Sequence, residues 1–337
     1  VAQLVRTLTE AGVRPFVVPA MGTHGGASPA EQEAVLAHLG VSESLTGAPV
    51  VCRGEVVLAG ETAGGIPVWV DAAAWAADAV IPVNRVKPHT AFRGSVESGP
   101  SKMLAVGLGK AASAEALHRA GLGGGIPEVA SFLLATGRVP FGVALVEDPF
   151  GALAAVRVLA PTNWLAAEAE FLALAWTLYP RLPWDELDLL VVERMGKDLS
   201  GTGMDLNVIG MKRRFPAWPA GPRIGAVVAL GLTQASRGNA TGIGYADLVT
   251  QALAHAVDWE ATRANCRATG FQDAGRCPRV AADEAEAVAL ALADLAPRLS
   301  GRGVRAARLT DTLRLGQLWV SPALADDLPP SVHRACG

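Results

Sequence analysis

Short apolar runs, each ending in a glycine-rich polar loop and followed by an alanine-rich helical segment, recur in both halves of this chain. That alternation admits few architectures other than α/β. In the first half Pro15–Pro19 reads as a strand, MGTHGGAS as the loop at its end, and Ser28-Pro29-Ala30-Glu31 as a capping box opening a helix to Gly40. Residues 50–57 and 66–70 read as strands around a Gly64-Gly65 turn, and 78–83 as a further buried strand. Residues 139–147 and 154–160 complete the strands, before a helix over 163–178. After Pro180–Pro183 the pattern restarts, with strands at 187–192 and 224–230, helices at 245–256 and 282–295, and a last strand at 316–320. The reading is two α/β domains, 1–180 and 184–337, the first carrying catalysis and the second adding substrate-binding loops, with the active site expected in the cleft between them. The chain opens on Val1 in what reads as mid-helix, so a short upstream segment is expected.

Half of the residues are hydrophobic, which raises the question of a membrane. No uncharged run reaches the roughly 18–20 residues a spanning helix needs, and the best candidate, 129–146, is broken by Gly137, Arg138 and Pro140. A net charge of −3 implies no basic face for nucleic acid. The expectation is a soluble, cytoplasmic protein without a signal peptide. Cys52, Cys266, Cys277 and Cys336 form no CxxC pair, and read as reduced thiols, with a Cys266–Cys277 bridge or metal pair as the alternative.

Chemistry concentrates in residues 81–118, where His89, His118, Lys87, Lys102 and Lys110 sit among glycines, and in the upstream GTHGG containing His24. The chain has only six histidines. An imidazole titrates near neutrality, so His24 and His89 are candidates for general acid–base work; the plainer alternative is a pair of solvated loop histidines. In Lys87-Pro88-His89 the proline restricts the backbone before the ring, and the neighbouring cations disfavour its protonation or attract an anion. Lys102 and His118 lie sixteen residues apart, a spacing that by itself names no metal site. The turn Gly107-Leu108-Gly109-Lys110 before a helix is a weak phosphate cradle. In the second half Lys197 opens a polar loop, residues 196–205, suited to a polyol or carboxylate, or serving only as surface; 236–242 has similar texture. No nucleophile elbow, HExxH motif or dinucleotide fingerprint stands in the right context.

Taken together and in order, GTHGG, RVKPHTAF, SGPSKMLAVGLGK, the histidine of EALHRAG, MGKDLSGTGMD and LRLGQLWVSPAL resemble the lactate racemase family, in a divergent branch. The resemblance implies a nickel-pincer nucleotide, pyridinium-3,5-bisthiocarboxylic acid mononucleotide nickel. Lys102 would be its covalent tether and His118 the protein's nickel ligand. His24 and His89 would be the acid/base pair serving the two enantiomers, and Lys197 would bind the substrate carboxylate. The implied activity is racemisation or epimerisation of a 2-hydroxy acid by hydride transfer, with cofactor-maturation enzymes as partners. Two departures stand out: the family's substrate-binding arginine would precede Val1, and the link FRGSVESGPSK between His89 and Lys102 is longer than the family's. The rival readings are a non-catalytic carrier of the nucleotide and a metal-dependent hydrolase using the same histidines.

Overall fold

The computed structural model describes residues 1–21, 28–90, 92–210, 221–330 and 332–333. His24 and Cys336 lie outside the described residues. The chain divides into two compact units, Val1–Tyr179 and Pro180–Gly337. Among the described residues no helix is long and apolar enough to cross a membrane.

The first unit begins with an amphipathic helix, Ala2–Glu10, which buries Val5. The stretch read as a strand at 15–19 contributes a single parallel bridge, Val17 to Val50. Flanking prolines explain this, since Pro15 and Pro19 bring no N–H to a ladder. The capping box forms as expected: Ser28 Oγ accepts the Glu31 N–H at 3.3 Å and donates to its carboxylate, opening helix Pro29–His38. Strands β1 (Val56–Glu61) and β2 (Pro67–Asp71) make an antiparallel hairpin. A separate sheet has the order β3 (Val83–Arg85), β4 (Gly142–Glu147), β5 (Leu153–Leu159), its first pair parallel and its second antiparallel. Ala144 and Val146 of β4 face a core with Trp164, Phe171 and Ala175, one side of helix Trp164–Leu178.

Helix Lys110–Ala120 ends at Gly121, and a second helix, Leu122–Ala135, begins within the glycine run that follows. A side chain at Gly123 would crowd the Arg93 carbonyl, and one at Gly125 would strike Leu117. These glycines let the helix approach its neighbours, a gain in packing that offsets their poor helix propensity of ~1 kcal/mol each.

The second unit is a six-stranded sheet of order β11-β10-β6-β7-β8-β9, made of β6 (Glu186–Met195), β7 (Arg223–Leu232), β8 (Leu248–Thr250), β9 (Arg279–Ala281), β10 (Ala306–Leu309) and β11 (Trp319–Val320). All neighbours pair in parallel except β10 with β11. Leu189–Val192 are buried at every position, as expected of a parallel strand covered on both faces. Helix Glu284–Leu299 lays Ala287, Ala291 and Leu295 against Leu189, Val191, Ala226 and Val228. The helix expected over 245–256 is confined to Gln251–His255, because Leu248–Thr250 are drawn into the sheet as β8. Cys266 lies buried on helix Trp259–Ala268; Cys52, Cys266 and Cys277 are free thiols.

In this sheet β6 to β9 step in one direction, and the chain then returns to place β10 on the other side of β6. The carboxyl ends of β6 and β10 therefore flank a topological switch point, where open α/β sheets place their ligands.

Candidate active site

β3 leads directly into Lys87-Pro88-His89. Lys87 and Ser98 then pair through two backbone hydrogen bonds, of 3.0 and 3.3 Å, closing residues 87–98 into a loop. Inside it the Glu97 carboxylate, 2% exposed, accepts the His89 N–H at 2.6 Å and an Arg93 N–H at 3.3 Å. Arg93 also donates to the His89 carbonyl at 2.7 Å, and its guanidinium lies 4.6 Å from the centre of the Trp176 ring. His89 is thus held at both its N–H and its C=O. Its imidazole packs against Phe92, ring centres 4.3 Å apart. Burial pushes the His89 pKa well below the ordinary value, and the charges of Lys102, Lys87, Arg93 and His118 add to the effect. Glu97 is raised by its burial, against the opposing pull of its hydrogen bonds and Arg93.

Lys102 closes the short helical turn Pro100–Lys102, which continues as a π-helix over Met103–Gly107. Such wide turns recur at functional sites. Burial, then the nearby Lys87 charge, lowers the Lys102 amine to about 7; Glu97 opposes them. A side chain at Gly107 would overlap the Ala20 carbonyl, so the chain just before residues 22–27 rests directly on this π-helix. His118 stands half-buried in the last turn of helix Lys110–Ala120. A helix C-terminus favours imidazolium by up to ~2 kcal/mol. Here burial and the Lys102 charge outweigh it, and the His118 pKa is lowered.

His89, Lys102 and His118 therefore share one electropositive neighbourhood that disfavours their protonated forms. A consequence for stability follows. At pH above the unfolded-state histidine value of about 6.5, His89 and His118 are neutral in both states. Below it the unfolded chain binds protons that the folded chain refuses, so stability falls as the pH falls towards the lowered folded values. Urea midpoints should drop between pH 7.5 and pH 5.5, and His89→Gln should reduce that drop; an equal drop in the variant would remove His89 as a cause.

Lys110 has a different role from the phosphate cradle suggested by its turn. Its amine is buried, 4% exposed, against the Asp71 carboxylate at 2.9 Å, and also donates to the Pro19 carbonyl at 3.4 Å. Asp71 in turn caps helix Ala72–Ala76 through the N–H groups of Ala73 and Ala74. Lys110 is a structural cation with its partners in place, despite a φ of +52°.

In the second unit Lys197 follows β6 on the loop at the switch point. Its N–H donates to Ser236 Oγ at 2.8 Å, which joins the two polar loops seen in the sequence. Its amine donates to the Gly201 carbonyl at 3.0 Å, and burial lowers its pKa. Asp198 accepts from Thr233 and from Ser236, and a side chain at Gly196 would strike all three of these groups. From the turn after β10 comes Thr312, whose hydroxyl accepts the Asp205 N–H at 3.0 Å. A groove of about 600 Å³ lined by His255, Trp259, Arg263 and Cys277 includes none of the candidate residues.

Residues 1–125 match the lactate racemase N-terminal domain. The matched residues all lie in the first unit. His89, Lys102 and His118 all fall within the matched residues, as does His24, whereas Lys197 lies beyond them. The lactate racemase apoprotein of Thermoanaerobacterium thermosaccharolyticum shares the fold over 92% of this chain and 81% of its own, with a TM-score of 0.51 and 12% sequence identity. No curated protein matches the sequence. Within the matched residues, Glu97 and Arg93 are functional candidates that sequence reasoning missed. The available signal was slight: Glu97 is a lone acid in a serine- and glycine-rich stretch eight residues after the histidine.

Proposed function

We propose that this protein is a racemase or epimerase of a 2-hydroxy acid, working with a nickel-pincer nucleotide. The observation that carries the reading is the shared field of His89, Lys102 and His118 inside a lactate racemase N-terminal domain. The chemistry of these groups suits the cofactor. A neutral imidazole is the form that ligates nickel, and His118 is biased towards it. An amine lowered to about 7 is substantially unprotonated at neutral pH, as acyl transfer to Lys102 requires. Lys102 would hold the nucleotide covalently and His118 its metal. When bound, the group supplies an acceptor for the hydride on the substrate's hydroxyl-bearing carbon.

The chain's own residues do the rest. His89, neutral and fixed at its backbone, accepts the substrate hydroxyl proton on an imidazole nitrogen and returns it on reversal. His24 is the corresponding group for the other enantiomer. The cations Lys87 and Arg93 favour an anion nearby, and Lys197, on the second unit's polar loop, is a separate candidate for binding a carboxylate.

Protein produced with cofactor-making enzymes tests the reading. It should contain nickel, carry a mass increment lost in Lys102→Ala, and abolish the optical rotation of one member of a hydroxy-acid panel. Cofactor uptake without interconversion of any panel member would identify a carrier instead.

A further inference from the structure

Helix Trp164–Leu178 has one acidic side chain on its buried face. This is Glu168, 1% exposed. Its carboxylate faces donors only. The Ser101 N–H lies 3.1 and 3.2 Å from its two oxygens, Ser101 Oγ donates at 2.5 Å, and Trp164 Nε1 donates at 3.0 Å. An ionised carboxylate accepts and never donates, so this is a complete site for the charged form. Burial pushes Glu168 up, and the same three bonds pull it only part of the way back, so its pKa stays raised.

The location is informative. The turn that carries Lys102 starts at Gly99, which has no side chain to cap it, and Pro100 has no N–H to be capped. The first orphan donor of the turn is the Ser101 N–H, and Glu168 meets it from sixty-seven residues away. Gly99 is glycine because a Cβ there would overlap the Glu168 carboxylate. The cap and the missing side chain occupy the same space.

We propose that Glu168 is the helix cap, supplied by a distant helix, of the segment bearing Lys102, and a positioning residue for the Lys102 amine. The amine root is one residue from the pinned N–H. Releasing Ser101 frees the backbone that aims Lys102 into its enclosed position, while Lys87 and Glu97, the charges that act on it, stay where they are. The proposal rests on the Lys102 reading for its purpose but on Glu168, Ser101 and Gly99 for its geometry.

The chain has five lysines, so trace acetylation of the intact protein across pH, read by peptide mass, reports Lys102 with Lys87 as an internal reference. The midpoint of the curve is independent of how accessible the amine is. In the wild type it should lie near about 7. Glu168→Gln turns an amide N–H towards Ser101 or Trp164 and should raise the midpoint by a unit or more, about a tenfold loss of reactive amine below the midpoint. Ser101→Ala, which removes the hydroxyl that donates to Glu168 and accepts from Trp164 Nε1 but keeps the capped N–H, should move it the same way by less, and keeps the test alive if Glu168→Gln does not fold. Circular dichroism reports folding separately. Folded variants with the wild-type midpoint, or a wild-type midpoint in the ordinary lysine range, would overturn the proposal. A normal shift in protein that gains no mass on Lys102 would instead sink the tether and leave Glu168 in its role.

Discussion

His89→Gln should slow hydroxy-acid interconversion by roughly 10²–10⁴-fold, the usual contribution of a positioned acid–base group. Chiral chromatography of the best panel substrate measures it. The substitution is unusually clean. What holds residue 89 in place is its own N–H on Glu97 and its own carbonyl under Arg93, and both survive a change of side chain. Nickel content and the mass increment on Lys102 should therefore stay at wild-type levels while turnover is lost. A rate within a few-fold of wild type would remove His89 from the chemistry, whatever the cofactor does.

The largest effect on stability is expected at Asp71. Truncation to alanine leaves the Lys110 ammonium enclosed without its counter-ion, and removes the cap from helix Ala72–Ala76. Breaking a buried pair from one side costs about 3–5 kcal/mol, and losing a cap adds ~1 kcal/mol. Against a total stability of about 5–15 kcal/mol this removes much of what holds the first unit together. Guanidinium unfolding followed through the first unit's tryptophans should show a large fall in midpoint. Pairing the change with Lys110→Met should restore most of the ion-pair share, because an apolar pair needs no counter-charge. A single variant that loses less than about 1 kcal/mol would mean that water reaches the Lys110 amine.

The α/β class was legible because strand and helix periods alternate along the chain, and the capping box at Ser28 is a local signal that tertiary contacts did not override. His89 stood out because a proline before it and basic neighbours leave a loop histidine little other use, whereas His118, on an alanine-rich helix, was singled out only by the family resemblance. The misses share a different physical origin. Glu97 and Glu168 look like solvated acids in sequence, and only the fold brings the buried donors that make them useful. Lys110 has the spacing of a ligand-binding lysine, yet Asp71, thirty-nine positions earlier, claims its charge. Gly123 and Gly125 open a helix despite poor propensity, and their reason for being glycine, the Arg93 carbonyl and Leu117, lies on neighbouring segments. Propensity and motif report what a residue can do alone, whereas these depend on partners that sequence distance conceals.

The π-helix after Lys102 has a bearing on which changes the chain can accept. A π turn is an α-helix that has taken in one extra residue, and each helical residue advances the chain by about 100°. The sixteen-residue interval from Lys102 to His118 thus includes an angular offset fixed by a single insertion among Met103–Gly107. Apart from Gly107, where the Ala20 carbonyl leaves no room for a side chain, substitutions in that stretch can be absorbed by packing. Deletion of any one residue would relax the turn to α and rotate Lys102 away from its present direction by more than a quarter of a circle, so in this segment length is under stricter constraint than identity.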